Sequence, residues 1–402
     1  MTDYPDFRSR AFLLDHVDKT MGFFYPAGFD PAGGFFNELD NVGAVADPRP
    51  RSLVHTCRSL FIHANAYRLF GRAENLAAAG HALDFLTNAH RVALTRGYLF
   101  ELDFAGGKVT PTETANITYG YSFLLLAYAT VLQLGLPGAR HWLDETFATM
   151  EERLYEPAFG LYADQASADW QEVRPYRGQN GNMHACEAML VAYEVTGEAR
   201  YLERAETLAA AITLRQAQLS PLGEVWEHFR TDWSADPDYN RDDHSDAYRP
   251  WGYLTGHQTE WTKLLLILDR HLPRPWHLKR ARQLFDSAIN TAWDATRGGL
   301  YYSYGHDRAV YDSSKQQWVH AETLGAVVHL AAATGEQSYW DWYDKLWRYT
   351  WDHLVDQERG GWYRALDADN RVTSTRRGAP EPDYHNMGAC AEILAVLERA
   401  GA

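Results

Sequence analysis

Three cysteines in 402 residues, Cys57, Cys186 and Cys390, stand far apart and are odd in number. They make neither a disulfide framework nor a zinc spacing, and they fit a reducing compartment such as the cytoplasm. Basic residues are also scarce: 38 Lys and Arg against 53 Asp and Glu, for a formal charge of −15. No basic stripe is present to track a phosphate backbone, which argues against a nucleic-acid partner. An acidic surface also repels phosphorylated metabolites, so a neutral substrate is favoured. No Walker or dinucleotide glycine loop occurs, and Gly178-Gln-Asn-Gly181 is too short to be one. A Gly-x-Ser-x-Gly nucleophile elbow is missing as well. The opening residues, MTDYPDFRSR, carry no apolar segment of a secretory signal. Only 114–139 is free of charge over a membrane-spanning length. Tyr119, Tyr121, Thr130 and Gln133 interrupt it and Leu136-Pro137-Gly138 closes it, so a fully buried helix is expected there rather than a membrane span.

Aromatic residues are abundant: 14 Trp, 24 Tyr and 17 Phe, enough for a large core, a carbohydrate cleft, or both. Many of them fall in a recurring pattern of glycine followed by aromatic or β-branched residues. The copies occupy 33–40, 97–103, 160–164, 223–227, 298–304 and 360–367, and each reads as a short strand entered through a glycine turn. Anchored on Gly34, Gly97, Gly160, Gly223, Gly299 and Gly361, the gaps are 63, 63, 63, 76 and 62 residues. Roughly thirteen extra residues explain the long gap, and the polar run 230–249 reads as the inserted loop. Pairs of helical patterns lie between the copies, at 53–70 and 75–93, 183–196 and 200–215, and 322–334 and 339–354. One member of each pair is nearly all apolar and the other amphipathic. This predicts an all-α fold, an (α/α)6 barrel or toroid of six inner and six outer helices with short β-hairpins in the connections. Length alone suggests two or three domains, but six repeats of about 63 residues plus one insertion make residues 1–402 a single domain. An open α-solenoid is the competing architecture, but its repeats are shorter and need no aromatic hairpins.

The repeat also carries polar groups in phase. Twenty-four residues after the anchor stand Arg58, Tyr121, His184 and, in the sixth copy, His385. The fifth copy has Glu322 one residue earlier, and the fourth, allowing for the insertion, has Glu260, three residues after His257. In a closed ring these positions converge on one cavity, with Tyr119 or Tyr121 nearby. A single histidine on an apolar helix is usually structural, as expected for His16, His63, His271 and His353. Three histidines and two glutamates at one phase point instead to function, because buried charge is costly unless paired or used. His184-x-x-Glu187 and His257-x-x-Glu260 have the helical spacing of di-metal carboxylate sites, but no aspartate cluster supports them, and no metal or other cofactor is expected. Imidazoles take and return protons near neutrality. With an arginine for a developing oxyanion they suffice for proton abstraction beside a carbonyl. Trp251, Trp261, Trp318 and Tyr119 are candidates to stack on a sugar ring.

These segments resemble the N-acylglucosamine 2-epimerase superfamily. The resemblance rests on His55-Thr-Cys-Arg58, Asn180-Gly-Asn-Met-His184-Ala-Cys-Glu187, Arg249-Pro-Trp-Gly-Tyr-Leu-Thr-Gly-His257-Gln-Thr-Glu260-Trp261, Lys315-Gln-Gln-Trp318-Val-His-Ala-Glu322 and Asp383-Tyr384-His385, in order along the whole chain. It implies the same (α/α)6 barrel and a cofactor-independent sugar isomerase or 2-epimerase working through a cis-enediol. By that resemblance His257 and His385 are the acid/base pair, His184 assists ring opening, Arg58 meets the carbonyl or enediolate oxygen, and Glu260 orients His257. Tyr119, Asn180, Arg249, Trp318 and Glu322 are implied as substrate contacts. Relatives with His-x-x-Arg at the last histidine differ from His385-Asn-Met-Gly388 here, which argues against carrying over their N-acylated or disaccharide specificities. The insertion and the Arg-Pro-Trp-Gly segment look most like the mannose isomerase and mannose 2-epimerase branches. The expected reaction is interconversion of free mannose and fructose. Alternatives are 2-epimerisation, of mannose and glucose or of N-acylglucosamine and N-acylmannosamine, or action on sulfoquinovose. A two-carboxylate glycoside hydrolase using Glu260 and Glu322, or a non-catalytic sugar-binding scaffold, are the competitors from other classes. The substrate partner is a neutral monosaccharide, without nucleic acid or membrane, and the oligomer is a monomer or homodimer.

Overall fold

The computed structural model describes residues 4–243, 246, 248–373 and 384–400. Among them are twelve α-helices. Contacts divide the chain into two units, one drawing its described residues from Met1–Pro26, Asn240–Gly378 and Asp383–Ala402, the other from Ala27–Tyr239. The second unit holds α2 (Leu53–Phe70), α3 (Ala73–Phe85), α4 (Thr118–Gln133), α5 (Ala139–Arg153), α6 (Gln179–Thr196) and α7 (Ala199–Ala210). The first holds α1 (Arg10–Phe24), α8 (Thr255–His271), α9 (Pro275–Ala292), α10 (Gln317–Thr334), α11 (Gln337–His353) and α12 (Tyr384–Ala400).

Each even-numbered helix packs on its successor in the chain and on the next even helix within its unit: α2 on α3 and α4, α4 on α5 and α6, α8 on α9 and α10, α10 on α11 and α12. The last, α12, has no helix after it, and α1 from the other end of the chain packs against it instead. The six pairs therefore include one that joins the first and last helices, a pairing the order of the repeats alone did not display. Burial separates the two classes. In α10 every residue from Gln317 to Ala331 is buried, whereas α11 buries only Tyr339, Tyr343, Leu346, Trp347, Tyr349 and Thr350. A helix apolar all round must be enclosed, and one with a single apolar stripe faces water. The charge-free stretch is α4, buried along most of its length. No helix among the described residues is long and apolar enough to cross a membrane.

Turn chemistry fixes where the enclosed helices begin and end. Helices α2, α6 and α10 stop at Gly71, Gly197 and Gly335, with φ of 68°, 70° and 70°, a left-handed cap that side chains disfavour. Two residues before each of these helices a buried cation reaches back to an acid at the preceding glycine turn. The pairs are Arg51–Asp30 (2.6 Å), Arg177–Glu156 (2.6 Å) and Lys315–Asp294 (2.9 Å). Burying such a charge without its partner costs several kcal/mol, on the order of 3–5, so these pairs hold turn and helix in one register.

The glycine-led strands form at Gly97–Tyr98 with Glu101–Ala105, at Leu161–Tyr162, at Ser303–Tyr304 and at Ala365–Leu366. The first copy makes only isolated bridges, Phe29 with Phe35 and Leu39 with Val45. The fourth copy departs from expectation: 223–227 is not a strand, and the short strand follows at His228–Phe229. Residues Ala217–Leu219 coil into a 3-10 turn there, so the extended partner that Tyr155–Glu156 gives Leu161–Tyr162 in the preceding repeat is missing.

Candidate active site

The polar residues of the repeat sort by helix position rather than by distance from the glycines. Arg58, His184, Glu260 and Glu322 are each the sixth residue of their helices. The sixth residue of α4 is Phe123, not Tyr121. The connection from Gly97 to α4 is two residues longer than those from Gly34 to α2 and Gly160 to α6, because it carries a longer hairpin, Glu101–Ala105 with Lys108–Glu113. Counting from glycines thus places Tyr121 on the wrong face. Its hydroxyl donates to Asn116 Oδ1 (2.9 Å) and its ring packs on Tyr98 and Trp170. Tyr119, Asn180, Trp318 and His385 are the second residues of their helices, one turn before the sixth, and His257 is a third residue. One predicted phase is in fact two layers a helical turn apart. Asp383, quoted with His385 in the sequence motif, lies outside the described residues.

In the second unit, Arg58 is buried and its Nη2 donates to the Tyr119 hydroxyl at 3.0 Å. The guanidinium lies 4.6 Å from the centre of the Phe123 ring. Phe123 also packs on His184 (4.8 Å between ring centres), and Tyr119 meets His184 edge-on at 5.1 Å. His184 Nδ1 is 3.1 Å from Glu187 Oε2. A carboxylate at Nδ1 selects the tautomer with its proton there and leaves Nε2 as an acceptor. Asn180 stands in the first turn of α6, and its buried Oδ1 has no hydrogen-bond partner among the described residues. His55, in the same motif as Arg58, is buried and held neutral, its pKa lowered to about 3 by burial and then by the charges of Arg51 and Arg58.

In the first unit, His385 Nδ1 is 2.7 Å from Glu322 Oε1, and Lys263 Nζ donates to Glu322 Oε2 at 2.7 Å. All three side chains are buried. The carboxylate again fixes a tautomer and leaves His385 Nε2 able to accept a proton. Trp318 packs on His257 (5.2 Å between ring centres) and on His385 (5.7 Å). Its indole N–H donates to Gln316 Oε1 at 3.0 Å. Glu260 is buried one turn along α8 from His257.

Two expected sugar platforms are buried instead. Trp261 has no exposed surface and belongs to the core, so it offers no sugar platform. Trp251 is buried against His306 and Tyr311. Arg249 ends the inserted loop, where its N–H donates to Asp246 Oδ1 (3.0 Å) and its carbonyl accepts from Asn240 Nδ2 (2.9 Å). Sequence reasoning missed Phe123 and Lys263. Aligning on helix starts finds the first, and the second is the one charge in the run Trp261-Thr-Lys263-Leu-Leu-Leu-Ile-Leu268. The three cysteines are buried with thiols pushed up by burial, Cys390 to about 12, which leaves them unsuited to nucleophilic work.

The family model for N-acylglucosamine 2-epimerase matches residues 34–389. A D-mannose isomerase of Marinomonas mediterranea is 44% identical over 98% of this chain and 99% of its own length. One of Thermobifida fusca is 34% identical over 92% and 91%. A crystal structure of D-mannose isomerase superposes with a TM-score of 0.94, at 44% identity, covering 98% of this chain and all of that one. The fold class is the all-α (α/α)6 barrel type that the repeat predicts.

Proposed function

The chain belongs to the N-acylglucosamine 2-epimerase family, and from that premise we propose that this sugar isomerase interconverts free D-mannose and D-fructose through a cis-enediol. The observation that carries the reading is the full-length identity to D-mannose isomerases at 44% and 34%. The reading takes residues 1–402 as one catalytic domain.

In the open aldose, C1 is a carbonyl and C2 carries the labile hydrogen. His257, or His385 through Nε2, takes the C2 proton. O1 gains a proton, and the C1–C2 double bond of the enediol forms. Returning a proton to C1 while O2 loses its own gives the ketose. Arg58 and the Tyr119 hydroxyl, already hydrogen-bonded to each other, stabilise the oxygen that becomes negative. His184, fixed by Glu187, assists ring opening. Asn180 Oδ1 is an acceptor for a sugar hydroxyl, Arg249 is a further contact from the loop, and Glu260 orients His257. Glu322 was expected to touch substrate. Its bonds to Lys263 and His385 favour a role in setting the imidazole. Trp318 is a stacking surface between the two bases of the reaction. Imidazole, guanidinium and carboxylate supply every proton and counter-charge, so the reading calls for no cofactor.

Incubation of D-mannose in deuterated water tests this. Fructose carrying solvent deuterium at C1 is the expected product. Glucose in its place would move the assignment to 2-epimerase, and neither sugar would defeat the mannose reading.

A substitution at Gly256 probes the Trp318 surface. A Cβ on Gly256 would lie 2.2 Å from Trp318 Cζ3, and the indole is held by Gln316, Tyr302, His257 and His385. Gly256→Ala must therefore displace the ring. We expect kcat/KM on mannose to fall on the order of 10²-fold, as small misplacements at a reacting centre do. Unchanged kinetics would show that the position of Trp318 is immaterial.

A further inference from the structure

The buried lysine in α8 is not part of any role assigned above. We propose that Lys263 is a positioning residue: its ammonium, held on the Glu322 carboxylate, offsets the negative charge that His385 faces, so that the carboxylate orients the imidazole without favouring its charged form. The inference rests on the reading of His385 as a base of the isomerisation.

The geometry is a three-member chain. Each oxygen of Glu322 has a different neighbour, Lys263 Nζ at 2.7 Å on Oε2 and His385 Nδ1 at 2.7 Å on Oε1. The side chains of Lys263, Glu322 and His385 are 7%, 4% and 5% exposed, so water screens these charges little. A lone carboxylate against an imidazole favours the imidazolium, commonly raising its pKa by about 1–3 units. A base already protonated cannot take the C2 proton. A lysine on the other oxygen makes the carboxylate and ammonium together neutral, so the hydrogen bond orients the ring without charging it.

Among the described residues of the packed helices, Lys263 is the cation bonded to Glu322. From α8 come His257 and Glu260 at the level of the site, and Arg270 two turns further on. From α10 and α12 come His329 and Glu392, joined at 2.9 Å, two turns beyond Glu322 and His385. Burial raises the Glu392 carboxyl, but the His329 hydrogen bond and the charges of His329, Lys263 and Arg270 outweigh it and hold it below its usual range. Lys263 therefore acts on two carboxylates, each bonded to a histidine. From α11 and the strand Lys315–Gln316, His353 and Lys315 act on His320. From α9, His277 pairs with Asp269 of α8.

The test combines an imidazole titration with a pH–rate profile. Histidine-labelled protein is titrated by NMR, with the His385 signal assigned by its loss in His385→Asn. Lys263→Met is compared with the parent, Lys263→Gln stands in if the apolar variant does not fold, and Lys263→Arg serves as the conservative rescue. We expect the neutral variants to raise the His385 midpoint by about one unit or more and to shift the acidic limb of kcat/KM on mannose upward equally. Activity at pH 6 then falls about tenfold further than at pH 8, and Lys263→Arg restores both. An unchanged or lowered midpoint in the neutral variants overturns the proposal, whatever happens to thermal stability. A raised midpoint with an unmoved acidic limb upholds the role of Lys263 and overturns the reading of His385 as the base.

Discussion

His257→Ala and His385→Ala are each expected to lower kcat on mannose by about 10³-fold, within the range for loss of a positioned acid or base, while KM changes only a few-fold. The two imidazoles come from different helices, α8 and α12, and both pack on Trp318 of α10. His385 also has its Nδ1 on a carboxylate. An interaction made only in the transition state appears in kcat and kcat/KM together, not in KM. Steady-state kinetics with each variant, alongside thermal unfolding to confirm that it folds, is the measurement. Retention of more than a tenth of the parent kcat in either variant removes that histidine from the pair. Single-turnover deuterium exchange then separates the roles. A variant that still washes solvent deuterium into C2 of mannose without forming fructose has kept exchange at C2 and lost delivery to C1.

Acid should destabilise the protein well before most of its carboxylates are protonated. His16, His63, His90 and His320 have pKa values lowered to about 4, and His55 to about 3, in each case chiefly by burial. Several are needed in neutral form. The Trp362 indole donates to His16 Nε2 at 2.8 Å, and the Leu300 amide donates to His320 Nε2 at 2.9 Å. An imidazolium accepts neither bond. Unfolded, these groups bind protons near pH 6.5; folded, they do not until about pH 4 or below. The unfolded state thus holds more protons in that window, and stability falls as pH falls. One pKa unit corresponds to about 1.4 kcal/mol. At pH 5 each histidine contributes on the order of 2 kcal/mol, and the five together are comparable to the whole stability of a typical fold, about 5–15 kcal/mol. Glu101 works the other way. Burial and the charge of Glu113 raise it to about 7, so it is protonated first in the folded state and offsets about one of the five. Asp294 is held below its usual range because its bonds from Lys315 and the loop amides outweigh burial. It adds its loss only below about pH 4. Thermal unfolding at pH 7, 6 and 5 should show Tm dropping by more than about 10 °C between the first and last. A flat Tm over that range would mean that the buried histidines find acceptors for a second N–H or lie open to water.

How much of this was written in the chain depends on how local each cause is. The repeat was legible because each unit needs its own glycine turn, a residue-level requirement that leaves its mark every 63 residues or so. The enclosed helices were legible for a similar reason. A helix wrapped on all sides by other helices has to be apolar all round, and the predicted 53–70 coincides with α2. Helices predicted at 75–93 and 200–215 run on past α3 and α7 into wider π turns, Leu86–His90 and Ala211–Gln216, because apolar spacing does not report which carbonyl each amide meets. Functional phase was readable only to within a turn. Glycine spacing records loop length, and an extended hairpin before α4 moved Tyr121 off the face that Phe123 occupies. The residue types at the site, imidazoles, carboxylates and an arginine, are chemical facts of the chain. Their partnerships are not. Glu322 lies 63 residues from His385 and 59 from Lys263. Only the packing of α8, α10 and α12 sets one carboxylate between an ammonium and an imidazole, because bonds of 2.7 Å are decided by how helices meet and not by how far apart their residues stand in sequence.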